Sequence, residues 1–219
     1  HLKEMNIFEK NKLFVLRDPV IQLHEFLKKK KEKIEDLKIE KSNLIIGIGR
    51  LTRQKNFLLL IRAFEQILTK YPKYHLILLG EGEEKDLLVK EVKKLEIHDK
   101  VSFLGHQKNV YKYLLNSDCF ILTSLWEDPG FVLIEAALAN TLIISSNCPN
   151  GPNEILSNGQ NGFLFQNNNL SDLLNKFDEF KNSTEDELNK KKLFAKKQIK
   201  IFTQFAHFKS LRNIINLNE

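Results

Sequence analysis

Cysteine is scarce in this 219-residue chain, which has two: Cys119 in "DCFILTS" and Cys148 in "SNCPNG". Neither belongs to a CxxC pair and no histidine cluster lies beside them, which argues against a disulfide framework or a structural metal and for reduced thiols. Long apolar runs are missing too. The longest, such as "FVLI" and "LIIGIG", fall far short of the ~18 residues that span a bilayer. No charged-then-apolar signal segment opens the chain, so a cytoplasmic location is expected. The first residue is His1 and not Met, which reads as a piece of a longer polypeptide. No Asp-x-Asp occurs anywhere, and His75, His98 and His106 are too scattered in sequence to suggest a metal site. His24 and His207 are assigned to exposed or packing faces.

What is present is the balance of a soluble globular protein, with 42% hydrophobic and 28% charged residues. The net charge of +6 invites a nucleic-acid reading, but much of the lysine sits in "KKKKEK" (28–33) and "NKKKLFAKK" (189–197). Neither run has the arginine and aromatic interleaving that stacking on bases would use. They read as solvated surface, and no nucleic-acid partner is expected.

From residue 43 onward, short β-rich runs alternate with helical periodicity: "NLIIGIG", "FLLLIRAFEQILTK", "YHLILLG", "EEKDLLVKEVKKL" and "KVSFLG". The series continues through "NVYKYLLNS", "DCFILTS", "FVLIEAALA", "TLIISS", "GPNEILS", "GFLF" and "LSDLLNKFDEF". Strands that are continuous Val/Ile/Leu runs are buried on both faces, which marks a parallel sheet covered by helices on each side. The expected fold is a doubly wound, Rossmann-like α/β domain. Residues 1–42, with a strand candidate "LFVLRDPV" and the lysine run, read as an interdomain connector, and 43–183 as the domain. Thr184 with Glu187 fits a capping box opening a long helix, so 184–219 reads as a C-terminal helical extension. Phe194, Ile201, Phe205, Phe208 and Ile215 would share one stripe of that helix.

Chemistry has two candidate locations. "GIGRLTRQKN" (47–56) follows the first strand and precedes a helix whose expected cap is Asn56. It offers Gly49 in a turn, backbone amides at a helix start, and Arg50, Arg53 and Lys55. Such a turn commonly holds a phosphate, yet the third glycine of a dinucleotide fingerprint and the P-loop pattern are both missing. Surface cations on an ordinary loop remain an equal reading of this motif alone. The second location follows "CFILTS", whose end lies on the same rim because parallel strands all finish on one side. Glu127 precedes the start of helical periodicity near Phe131, and Glu135 falls one turn inside. The amides of Gly130, Phe131 and Val132 suit an anion. A carboxylate near a helix start can be merely a favourable neighbour of the dipole. Glu135, however, stands among apolar residues where it needs a hydrogen-bonding partner, and a pair of sugar hydroxyls would serve. Arg50, Lys55, Glu127 and Glu135 on one rim favour a phosphorylated polyol.

The motifs "GRLTRQKN", "LLGEGEEKDLL", "VSFLGHQKNVYKYL", "SDCFILTSLWEDPGFVLIEAALANTLIISSNCPNGPNEIL" and "NGFLF" follow one another as in retaining family-four glycosyltransferases of the GT-B fold. The resemblance covers roughly residues 43–166 and implies the C-terminal, nucleotide-sugar-binding half of such an enzyme. By resemblance, Arg50 and Lys55 neutralise the donor diphosphate, Gly130, Phe131 and Val132 offer amides to the distal phosphate or sugar, and Glu127 holds sugar hydroxyls. Glu135 looks like the ligand of the ribose hydroxyls, and Gly105 and His106 resemble the turn beside which the base packs. The implied donor is a UDP-linked hexose or N-acetylhexosamine. The acceptor would be a glycan or lipid-linked glycan held by a preceding domain, with peripheral membrane contact and no cofactor or metal. Asp128-Pro129 departs from many relatives, which have a small residue and Phe there, so the sugar pocket differs. A non-catalytic nucleotide-sugar module and a GT-B epimerase are the alternatives. Replacing Arg50 or Lys55 by Ala is expected to weaken UDP binding with little effect on thermal stability.

Overall fold

The computed structural model describes residues 14–34 and 43–216. The connector expected over 1–42 therefore lies partly outside the described residues. In chain order the elements are α1 (Leu23–Lys29), β1 (Leu44–Ile48), α2 (Phe57–Lys70), β2 (His75–Leu79), α3 (Lys85–Lys94), β3 (Val101–Phe103) and α4 (Tyr111–Leu114). They continue as β4 (Cys119–Leu122), α5 (Phe131–Leu138), β5 (Leu142–Ser146), α6 (Pro152–Ile155), β6 (Phe163–Phe165), α7 (Leu170–Asn182), α8 (Glu185–Gln198) and α9 (Gln204–Asn216).

The strands form a six-stranded sheet in the order β3-β2-β1-β4-β5-β6, and every pairing is parallel. This is the doubly wound, Rossmann-like arrangement expected from the alternation of patterns, with its change of winding direction between β1 and β4. Because side chains alternate across a strand, each one supplies two cores. Ile45, Leu76, Leu78, Ile121 and Ile144 pack with Leu60 and Phe64 of α2, Leu88 of α3 and Phe177 of α7. Ile46, Ile77, Leu79, Phe120 and Ile143 pack with Leu133 and Ala137 of α5, Tyr113 of α4 and Phe26 of α1.

Helix α2 shows how local sequence sets position. Its apolar residues at 57, 60, 61, 64 and 67 follow helical spacing and are buried. Asn56 occupies the N-cap position but has left-handed backbone (φ 49°) and makes no side-chain cap bond. Its Nδ2 instead donates to Asn168 Oδ1 at 3.0 Å, linking two rim loops. The expected cap is thus replaced by a cross-loop tie.

Two expectations outside the sheet are corrected. "LFVLRDPV" is not a strand in its described part: Phe14–Val20 has no regular structure, and Ile21 makes a single parallel bridge with Thr203. The capping box at Thr184 and Glu187 is present, but the long helix expected to follow it is broken by a 3-10 turn at Ile199–Phe202. Thr203 there is extended (ψ 154°). The expected stripe is not a buried face: Phe194, Phe205, Phe208 and Ile215 are 46%, 80%, 72% and 52% exposed and Ile201 packs only in part against the core, which Ala195, Ile199 and Phe202 join instead.

Candidate functional site

The C-terminal ends of β1, β2 and β3 continue into loops that are laced together by backbone hydrogen bonds. Gly49 N donates to Leu79 O (3.0 Å), Leu51 N to Glu81 O (2.8 Å) and Gly80 N to Gly105 O (2.8 Å). Gly80 makes this possible. Its φ is +143°, and a Cβ there would lie 1.9 Å from Gly49 O, so no side chain fits between the first two loops. Above this floor opens a cleft of about 610 Å³, whose walls include Gly49, Arg50, Glu81, His106, Lys108 and Glu135.

Four of the expected residues, Gly49, Arg50, His106 and Glu135, therefore line one cavity. Gly105 stands behind it as the acceptor for Gly80 N. Arg50 and His106 are exposed, and Glu135 is half-buried. Burial raises the Glu135 carboxyl above the ordinary carboxylate range, and the charge of Lys29 pulls it back. Tyr111 is pushed up to about 12 by burial first and by the Glu135 charge second.

Lys55 and Glu127 form an adjoining cluster. The Lys55 stem lies over Gly49, where a Cβ would meet its Cγ, Cδ and Cε at 3.2 Å. Its Nζ reaches Glu127 Oε1 at 2.5 Å, with side chains 13% and 4% exposed. Glu127 also accepts from Ser124 Oγ at 2.5 Å, and its backbone N donates to Pro149 O at 3.0 Å. A buried ion pair broken on one side is strongly destabilising, so the expectation that Lys55→Ala would hardly move thermal stability is corrected. Arg50, exposed and outside any ion pair among the described residues, keeps that expectation.

Helix α5 begins at Phe131, with Gly130 in the left-handed region (φ 79°) at its N-cap. The first-turn amides expected to face an anion have no intrahelical acceptor at that end. A Cβ on Gly130 would approach Glu127 Cγ to 3.4 Å, which places this helix start against the Lys55–Glu127 pair. The Phe131 side chain lies elsewhere, in a depression shared with Leu16, Arg17 and Phe202. The Asp128-Pro129 bond is cis, and Gly151 of "NCPNGPNEI" packs on Pro129, where a Cβ would sit 2.2 Å from its carbonyl oxygen.

Glu81, Gln107, Lys108 and Ser124 were not anticipated. Gln107 is held between Tyr113, whose hydroxyl donates to its Oε1 (3.1 Å), and Leu104 O, which accepts from its Nε2 (2.8 Å). A signal for Glu81 was available: "GEGEE" directly follows a strand and must reach the same rim as "GIGR". Among the described residues no group of His, Cys, Asp or Glu could hold a metal ion, and no helix is long and apolar enough to cross a membrane.

Comparison with known proteins places this rim in context. The profile of the family described as "Glycosyl transferases group 1" matches residues 28–207. A glycosyltransferase of Methanocaldococcus jannaschii, described as uncharacterized, is 46% identical over 115 residues, which is 52% of this chain and 28% of that protein. A Campylobacter jejuni protein named N-acetylgalactosamine-N,N'-diacetylbacillosaminyl-diphospho-undecaprenol 4-alpha-N-acetylgalactosaminyltransferase is 33% identical over 136 residues, 62% of this chain and 36% of its own. In structure, a mutant of S. aureus TarM in complex with fondaparinux, alpha-GlcNAc-glycerol and UDP superposes with a TM-score of 0.78 at 20% identity. It covers 98% of this chain and 42% of its own. The chain spans less than half the length of each of these proteins.

Proposed function

Since the chain belongs to the group 1 glycosyl transferases, we propose that the cleft and the adjoining Lys55–Glu127 cluster form the donor site for a nucleotide diphosphate sugar. The donor read here is a UDP-hexose or UDP-N-acetylhexosamine, transferred with retention at the anomeric carbon. The observation that carries this reading is the order of groups along the rim. Glu135, His106, Arg50 and Gly49 line the cleft, and the Lys55 stem over Gly49 joins it to Glu127 and the α5 N-terminus. That sequence of carboxylate, cation and carboxylate suits ribose, diphosphate and sugar in turn. UDP in the TarM complex supports the nucleotide, and the name of the Campylobacter relative supports an N-acetylhexosamine and a lipid-linked acceptor.

In this reading Glu135 accepts from the ribose hydroxyls, and the base packs beside Gly105 and His106. Arg50 and Lys55 stabilise the leaving diphosphate as charge accumulates on it, together with the amides of Gly130, Phe131 and Val132. Glu127 takes sugar hydroxyls while keeping Lys55 in place. The cations perform the charge stabilisation, so the chemistry is read as metal-independent and cofactor-free. The acceptor, a glycan or lipid-linked glycan, is assigned to a separate domain, with the reaction at the cytoplasmic face of a membrane.

The test is to titrate UDP-glucose, UDP-galactose and their N-acetyl analogues against the chain by calorimetry, then to follow UDP release with candidate acceptors. Binding without release is expected, because placing the attacking hydroxyl is worth effective molarities of ~10⁵ M or more and needs the acceptor domain. Acceptor-dependent release from these residues alone would overturn the division of labour. Failure to bind any of the nucleotide sugars would overturn the donor assignment.

A further inference from the structure

Strand β4 runs into two hydroxyls that its apolar pattern does not call for. After the buried run Cys119–Leu122 come Thr123 and Ser124, 1% and 0% exposed. Buried hydroxyls need partners, and both find them on the Lys55–Glu127 cluster. Thr123 Oγ1 donates to Lys55 O at 2.9 Å, and Ser124 Oγ donates to Glu127 Oε1 at 2.5 Å. Ser124 is itself held, since its carbonyl accepts from Ser146 Oγ of β5 at 2.7 Å. Lys55 Nζ reaches the same Oε1, so two donors from different loops meet on one carboxylate oxygen. Among the described residues no hydrogen bond ends on Oε2. From this geometry we infer that Ser124 is a positioning residue for Glu127, one that fixes the plane of the carboxylate and reserves Oε2 for the hydroxyls of the donor sugar. The inference rests on the reading of Glu127 as the sugar ligand.

Lys55 alone does not fix that plane. The terminal torsion of a glutamate is broad, and a lysine ammonium is a compact charge with rotatable donors that imposes no plane on its partner. Ser124 adds a second direction from β4. The Glu127 backbone is held as well, by its N–H donating to Pro149 O at 3.0 Å, and the start of α5 closes on the stem, where a Cβ on Gly130 would lie 3.4 Å from Glu127 Cγ. With main chain, stem and one oxygen fixed, the other oxygen has a defined direction. A fixed acceptor discriminates between sugars that differ in the placing of one hydroxyl, whereas a turning one follows either.

The experiment measures, by calorimetry on the full chain, the ratio of the affinity for a UDP-sugar to that for UDP, so that effects on the nucleotide end cancel. UDP-glucose, UDP-galactose and their N-acetyl analogues are the probes. Ser124→Ala is expected to lower the ratio for the preferred sugar about three- to tenfold, the scale of one hydrogen bond, with UDP affinity itself within about twofold of wild type. Ser124→Thr, which keeps the hydroxyl, should hold the wild-type ratio. Glu127→Gln should lower the ratio too, and Ser124→Ala added to it should lower it little further, because the serine acts through that carboxylate. Equal losses for UDP and UDP-sugar in Ser124→Ala would mark a merely structural serine and overturn the inference, as would a Ser124→Thr that melts like wild type yet shows the alanine ratio. A ratio moved by Glu127→Gln but indifferent to Ser124→Ala overturns the role of Ser124 alone. A ratio indifferent to Glu127→Gln overturns the placing of the sugar at Glu127, and the inference with it.

Discussion

Replacing Lys55 by Met keeps the aliphatic stem over Gly49 and removes only the charge that Glu127 faces at 2.5 Å. Glu127 is 3% exposed, so solvent cannot take over from the lost ammonium, and Ser124 Oγ remains as its side-chain donor. Breaking a buried pair on one side costs ~3–5 kcal/mol. At about 2–4 °C per kcal/mol for a chain of this size, the melting temperature should fall by roughly 6–20 °C. Glu127→Gln keeps an acceptor for Ser124 and for Lys55 Nζ but leaves the Lys55 ammonium, 13% exposed, without a countercharge, so its loss should be ~2–3 kcal/mol, somewhat less than that of Lys55→Met. The double variant should recover most of the Lys55→Met loss, giving a coupling of at least ~1.5 kcal/mol between the two positions. Urea and thermal denaturation of the four proteins, followed by circular dichroism, provide the cycle. Additivity to within ~0.5 kcal/mol would refute the claim that the pair acts as a buried unit.

Arg50→Ala should weaken UDP binding by ~1–3 kcal/mol, the scale of a charge-assisted hydrogen bond, with no change in melting temperature, and calorimetry beside a thermal melt checks both. Gly80→Ala forces a Cβ onto Gly49 O and should destabilise by ~2–4 kcal/mol, with UDP affinity falling as the floor deforms, as urea titration would read. Glu135→Gln should reduce affinity for UDP far more than for pyrophosphate, which has no ribose; equal losses in calorimetry would point to a helix-dipole role instead. The same variant carries a pH signature. The folded-state value of Glu135 is raised, so its stabilising contribution is complete below the ordinary glutamate range and is lost as pH rises through the folded value. Wild type should therefore lose stability relative to Glu135→Gln over that interval, which denaturation at a series of pH values would reveal.

The alternation of apolar runs and helical periods was enough to read the parallel sheet, because each buried strand is an unbroken Val/Ile/Leu stretch and its length leaves no other use for it. Arg50, Lys55, Glu127 and Glu135 were legible as candidates for a related reason: topology alone puts every strand end on one rim. What the sequence could not convey was pairing across distance. That Lys55 faces Glu127 depends on how the β1 and β4 loops fold over each other, and Asn56, a good cap by type, donates instead to Asn168 of the β6–α7 loop. The break at Thr203 was hidden because "IKIFTQF" keeps helical apolar spacing while its backbone departs to bridge Ile21.

The stitching of the first three rim loops has a meaning for anyone wishing to redirect the cleft to another ligand. Gly49, Gly80 and Leu51 contribute main chain to its floor, and Gly82 lies against Leu51, where a Cβ would meet the carbonyl oxygen at 2.3 Å. Variation at Gly80 and Gly82 would destabilise the floor, since neither site has room for even a Cβ. A mutational library there would be wasted. The adjustable surface is the exposed ring of Arg50, His106 and Lys108 above that floor, where side chains can be exchanged without a single main-chain bond being disturbed. Exchangeable side chains and fixed main chain are thus allotted to different residues of the same loops.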